Sequence, residues 1–329
     1  MSSETVWKDL DEKAHEAYSH GQLDEALDIY KKQVEQAKDE PEQLASAHKS
    51  MGLILHDRGD WEMSLAELNE ALRIQSSISG RDDDVPFQLS IANTHLNIAE
   101  VYRSMDNLEL SLRHLQEALR RHMAVVPDSL LLAETYNSIG LVFGEVGNYK
   151  MALDFHTACF EIRMKLCPNT LTTSCSASNI GLILCKMGKL ESSLFYLQKA
   201  LDIEQLLIPN TLDLADSFSN VAEVLFKMGK HDEALKKFQL ALQLKNDISP
   251  HSLDVAKTHF DVGWVLLTMK QASQAQLHFQ EAIDLEEHFV PDSKELAQAY
   301  ESLIRCLQYQ GLPIPADLEA KRDSITSNK

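Results

Sequence analysis

Residues 209–250 read PNTLDLADSFSNVAEVLFKMGKHDEALKKFQLALQLKNDISP, and two helical patterns lie between the flanking prolines. In the first, Leu214, Ala215, Phe218, Val221, Ala222 and Leu225 recur at i, i+1, i+4, i+7, i+8 and i+11, which is one face of a 3.6-residue helix. Ala234, Leu235, Phe238, Ala241 and Leu242 repeat that spacing in the second. Thr211 stands where a helix N-cap is needed, Gly229 where the first helix must stop, and Pro250 cannot continue the second. The stretch therefore predicts two amphipathic helices joined by a tight turn.

The same unit recurs along the chain. Pro127, Pro168, Pro209, Pro250 and Pro291 are each 41 residues apart, and each is followed by Asp, Asn or His and then by Ser or Thr. Gly147, Gly188, Gly229, Lys270 and Gly311 form a turn column in step with them. Small residues recur where helices must approach closely: Gly140, Gly181, Ala222 and Gly263 in the first helix of each pair, and Ala118, Cys159, Ala200, Ala241 and Ala282 in the second. Towards the N-terminus the pattern continues through Ala99 with Asp106, Gly52 with Gly59 and Ala14 with Gly21. The step from Gly59 to Asp106 is 47 residues, which places an acidic insert at Ser79–Pro86; its segment Arg81 to Val85 is expected to be an outward, dispensable loop.

The predicted fold is all-α: a right-handed superhelical solenoid of about seven helix pairs plus C-terminal capping helices, a single array over residues 1–329. Units are expected to start near residues 5, 42, 88, 129, 170, 211 and 252, with an extra helix at 293–310 and a terminal cap at 313–329.

Composition narrows the function. The 50 acidic and 31 basic residues leave a formal charge of -19, unsuited to nucleic acid or an anionic membrane, both of which are bound through clustered Lys and Arg. The five cysteines lack CxxC spacing and sit in helical patterns, as reduced buried thiols do. Met1 to Leu10 has no apolar core of a signal peptide and no apolar run approaches a membrane span, so a cytoplasmic location is expected. Neither phosphate-binding glycine loop occurs. His15-Glu16 with His20 misses the zinc-protease spacing by one residue, which turns the second histidine about 100° off the first one's helix face. No nucleophile stands with a base and an orienting group, so the expectation is a binding protein that is not an enzyme and has no cofactor and no metal.

The pairing of helices, the turn glycine and the closing proline resemble the tetratricopeptide repeat. "NYKMALDFH", "KLESSLFYLQKALDI" and "KHDEALKKFQLALQL" resemble its second helix, and "YNSIGLVFGEVG" and "SNIGLILCKMG" its first. The 41-residue step, against about 34 in the usual repeat, is similar to kinesin light chain-type repeats. The resemblance implies an adaptor or scaffold with a protein or peptide partner, held on a concave face lined by the first helices. The lysine–asparagine pair of the chaperone-type carboxylate clamp is missing, since Lys49 is followed by Ser50.

On that face the column two residues before the small position carries Asn97, Asn179, Asn220 and Asp261, side chains able to hydrogen-bond an extended peptide backbone. Arg103, Lys186, Lys227, Lys257 and Arg305 add cations suited to an acidic segment. Phe226, Phe260 and Trp264 supply a possible aromatic anchor in the sixth and seventh units, or else tuck between helices as core. The alternative role is a structural subunit of a larger assembly that uses convex or terminal surfaces.

Overall fold

A computed structural model describes residues 3–36, 40–81 and 83–327. Asp82 of the acidic insert and the last two residues of the terminal cap lie outside the described residues. Sixteen helices and no strand occur among the described residues, and the chain divides into two compact units, Met1–Leu166 and Cys167–Lys329.

In the first unit the helices are α1 (Ser3–Ser19), α2 (Leu23–Gln36), α3 (Pro41–Arg58), α4 (Trp61–Ser77), α5 (Val85–Ser104), α6 (Leu108–Val125), α7 (Leu130–Glu145) and α8 (Tyr149–Leu166). The second holds α9 (Leu171–Lys186), α10 (Leu190–Leu207), α11 (Leu212–Lys227), α12 (His231–Ile248), α13 (Leu253–Thr268), α14 (Ala272–Phe289), α15 (Lys294–Gln310) and α16 (Ala316–Ser327). Each helix packs on the next within its unit, and first helices also touch one another, as α9 does α11 and α13 does α15.

Local chemistry accounts for the boundaries. Ser129, Thr170, Thr211, Ser252 and Ser293 each cap a first helix, the hydroxyl accepting from the backbone N–H three residues on at 2.9–3.4 Å. The turn column is left-handed throughout: φ is +73° at Gly188 and remains positive at the two non-glycine members, +59° at Asp106 and +62° at Lys270. At Gly188 that conformation lets the N–H of Lys189 reach back to the Leu184 carbonyl at 2.9 Å, closing the helix end.

The acidic insert is built into the fold and does not simply extend outward. Asp84 is the N-cap of α5, accepting from the Phe87 N–H at 3.0 Å, and Val85 is already the first helical residue. Arg81 pairs with Asp84 at 2.6 Å and with Glu42 of α3, and its guanidinium lies 5.4 Å from the centre of the Phe87 ring. Deleting Arg81 to Val85 would remove a cap and a tie between helices. The milder change Asp84→Ala is expected to lower the melting temperature by about 2 to 4 °C, the loss of one cap in a domain of this size; an unchanged melt would show that the cap contributes nothing.

Packing inside each pair follows one rule. The small residue of the first helix meets the residue 16 positions later in the second, so Gly52 faces Leu68, Gly140 faces His156, Gly181 faces Leu197 and Gly263 faces Phe279. A serine in the second helix then bonds the carbonyl of the small residue: Ser64 to Gly52 at 2.6 Å, Ser111 to Ala99 at 2.8 Å, Ser193 to Gly181 at 2.6 Å.

His156 is the exception in its column. It is 1 % exposed, its Nδ1 has no hydrogen-bond partner, and burial drives its pKa down to about 4. An unfolded histidine titrates near 6.5, so between the two values the unfolded chain binds the extra proton and stability falls as pH falls. His95 and His259, each also held at about 4 by burial, act in the same direction. Asp261 and Glu286, raised by burial to about 6 and about 7, act in the opposite one. Leucine already fills the equivalent place at Leu68 and Leu197 against a glycine, so His156→Leu should fit. It is expected to stabilise by about 1 to 3 kcal/mol at neutral pH through removal of an unpartnered buried nitrogen, and by more at about pH 5. Melts at the two pH values check this; a gain that does not grow with acidity would contradict the assignment.

Candidate functional site

The first-helix row of the second unit carries ten of the twelve predicted side chains and brings six of them together in two groups. Phe260 and Trp264 of α13 and Arg305 of α15 line an open pocket of about 700 Å³, with Lys294, Ala297, Gln298 and Glu301 of α15 and Arg322, Ile325 and Thr326 of α16. The spacing of four residues stacks the two aromatic rings nearly parallel, 8° apart with centroids at 6.4 Å, while Phe260 meets the Phe279 ring edge-on at 5.5 Å. The Arg305 guanidinium lies 6.0 Å from the centre of the Trp264 ring. Three cations, Lys294, Arg305 and Arg322, thus face one carboxylate, Glu301. Arg322 donates to Glu301 at 2.7 Å and Arg305 at 3.3 Å, and these bonds hold the Glu301 carboxyl below its usual range.

Asn220, Lys257 and Asp261 line a second pocket, of about 530 Å³, between α11, α12 and α13. It also holds Asp216, Glu223, Asp254 and, from the far side of the pair, Lys245, whose buried ammonium pairs with Asp216 at 2.7 Å. A third pocket, again about 530 Å³, is lined by Lys257, Phe260 and Asp261 together with Asp254, Glu286 and Glu295.

The remaining candidates lie apart. Asn97 and Arg103 are on α5 in the first unit, where Arg103 is engaged by Glu100 and by Glu145 at 2.7 Å; those bonds raise its pKa. On α9, Asn179 is half-buried and Lys186 is exposed. Phe226 is half-buried against the core with its ring 5.2 Å from His231, which is the core reading of that aromatic. Lys227 donates to Glu223 at 2.6 Å and to Cys185 Sγ at 3.4 Å, and the Glu223 bond raises its pKa.

The column pattern did not single out Arg322 and Ile325 of the terminal helix, nor Lys245 and Glu286 of the second helices. The last two had a signal. Glu204, Lys245 and Glu286 recur at 41 residues, and all three are buried. A long polar residue repeated at one buried position of the second helices marks a side chain threading between helices. Among the described residues no group of three His, Cys, Asp or Glu is placed to hold a metal ion, and no helix is long and apolar enough to cross a membrane.

A tetratricopeptide repeat family model matches residues 90–165 and 213–287. No curated protein sequence matches the chain. Among solved structures, the apo form of the quorum sensor NprR from B. thuringiensis has a TM-score of 0.73 at 14% identity, over 99% of this chain and 88% of that one. BtubC (BKLC) from P. vanneervenii gives 0.62 at 16%, over 70% and 93%. The STAND protein PH0952 from Pyrococcus horikoshii, with a tetratricopeptide repeat sensor, gives 0.74 at 16% over 99% of this chain; the chain spans 47% of that protein. Identities this low carry the fold alone. Paired helices, hydroxyl caps, left-handed turns and the two matched segments agree on one assignment: the chain carries tetratricopeptide repeats.

Proposed function

We propose that the chain is a protein-interaction scaffold whose first-helix face in Cys167–Lys329 holds an extended segment of a partner. An aromatic or large apolar side chain enters the pocket between α13, α15 and α16, and acidic flanking residues meet Lys294, Arg305 and Arg322. The observation that carries this reading is the stacked Phe260–Trp264 pair in an open cavity with a guanidinium over the indole. An aromatic-lined pocket edged by charge is how binding hot spots are built. Asn220 stands one repeat away to bond the backbone of the segment. Two of the structural neighbours are described as sensors, which accords with a role in recognition.

The second reading, a subunit of a larger assembly, draws on Phe195 and Leu277, large apolar side chains 63 % and 67 % exposed on the second helices α10 and α14.

Fluorescence anisotropy with a peptide of one tryptophan flanked by glutamates tests the proposal. In Lys294→Glu with Arg305→Glu the fold should persist, since both side chains are exposed and a glutamate in the first turn of α15 suits the helix dipole. Binding should weaken about tenfold at low salt, and the difference should shrink as salt rises through ~0.15 M. Equal binding by both chains overturns the charge reading.

A further inference from the structure

The pocket adjoining the aromatic one, with Phe260 and Gln298 as shared wall, is lined by four carboxyl groups, Asp254, Asp261, Glu286 and Glu295, and one ammonium, Lys257. Glu286 is 5 % exposed, and its Oε2 has no hydrogen-bond partner. A buried carboxylate left this way is expensive, and a cation is what would relieve it.

The fold contains a precedent one repeat earlier. There the pocket is lined by Asp216, Glu223, Asp254 and Asp261, and the side chain threading in from the second helix is Lys245, on Asp216 at 2.7 Å. Forty-one residues on, that place is taken by Glu286, so the internal ammonium is replaced by a further acid. Lys257, the charge-reversed counterpart of Asp216, interacts with Asp261, and no ion pair among the described residues joins it to Glu286. We infer that the pocket between α13, α14 and α15 is the receptor for a cationic side chain, lysine or arginine, of the partner segment. The identification of that partner as a peptide rests on the anchor reading above; the preference for a cation does not.

The lining supports a long side chain over a bare ion. Leu253, Val290 and Phe260 offer apolar surface to a methylene stem, and about 530 Å³ exceeds what an ion needs. The acids are too dispersed for metal ligation, since none form a three-ligand group among the described residues. Burial raises Asp261 to about 6, against the lowering effect of Lys257 and Lys245 and with Glu223 adding to the rise. Burial raises Glu286 to about 7, with Glu295 adding to it and a hydrogen bond from Ser293 opposing. A bound cation favours both ionised forms, so binding near neutrality releases protons and weakens as pH falls.

Two probes test this on the full chain. Nα-acetyl-arginine amide, followed by calorimetry in two buffers of different ionisation enthalpy, should saturate the chain with proton release and fail to saturate Glu286→Gln, whose near-isosteric amide keeps the fold intact by circular dichroism. A set of acidic tryptophan peptides, with one arginine moved through every position, should show about tenfold tighter binding at one or two positions. That gain should disappear in Glu286→Gln and diminish from about pH 8 to about pH 5.5. If the amide saturates both chains equally or neither, the cation pocket is wrong. If the amide behaves as expected while no tryptophan peptide binds, the cation pocket stands and the aromatic anchor falls.

Discussion

Gly181→Leu is expected to lower the stability of the Cys167–Lys329 unit by about 3 kcal/mol or more, at the upper end of overpacking costs. A Cβ alone at Gly181 would lie 2.6 Å from Leu197 Cγ and 3.3 Å from the Leu197 backbone nitrogen. Leu197 is 2 % exposed and cannot swing out to solvent. The helices must therefore separate, which also stretches the 2.6 Å bond from Ser193 to the Gly181 carbonyl. Alanine brings the same Cβ against Leu197 but no further atoms, and Ala99 and Ala222 occupy the same column, so Gly181→Ala should also destabilise, but less than leucine. Thermal melts would show a fall of roughly 6 to 12 °C for leucine, partly recovered by adding Leu197→Ala, which clears the space. A melt like that of the unaltered chain, or no recovery in the double variant, would mean that the helix register is wrong.

Trp264→Ala carries the second large effect. It removes one face of the aromatic stack and the surface beneath the Arg305 guanidinium, so the apolar anchor of a partner segment loses most of its pocket. Central aromatic residues of an interface cost about 2 kcal/mol or more on truncation, which is roughly thirtyfold in affinity. Trp264 is half-buried, so some stability is lost as well, and circular dichroism must show the variant folded at the temperature of titration. An affinity unchanged within twofold, with the variant folded, would remove Trp264 from the site.

The fold was legible because backbone geometry leaves marks at fixed places. The hydroxyl caps, the prolines and the turn column are demanded by helix ends, and Asp106 and Lys270 keep the left-handed turn that the column assigns even without glycine. Packing was legible where a small residue faces a large one, and obscure at His156, whose polarity conceals a core position. The candidate site divides in the same way. Phe260, Trp264 and Arg305 converge because they share the first-helix columns. Arg103 and Lys227 occupy those columns too, but lie apart from these pockets; each is engaged by a glutamate three or four residues before it, as Arg305 is by Glu301. Those acids are visible in the sequence; a column read one position at a time passes over them. The wall supplied by Arg322 and Ile325 had no such mark, since residues 316–325 carry no strong apolar period and dock only through a few side chains. Glu286 went unseen because apolar columns announce a core, whereas a recurrent buried polar residue does so only after its repeats are aligned.

We propose the first-helix face of Cys167–Lys329 as the seat of the partner segment. Site-directed photo-crosslinking tests it most directly, with benzoylphenylalanine placed in turn at Gln298, which lines both the aromatic and the acidic pocket, and at Phe195, exposed on the second-helix side. The probe is a peptide selected for binding to the intact chain from a random display library. Crosslinking is expected from position 298, abolished by Trp264→Ala, and none from position 195. Crosslinking from position 195 with none from 298 would contradict it and assign recognition to the outer helices.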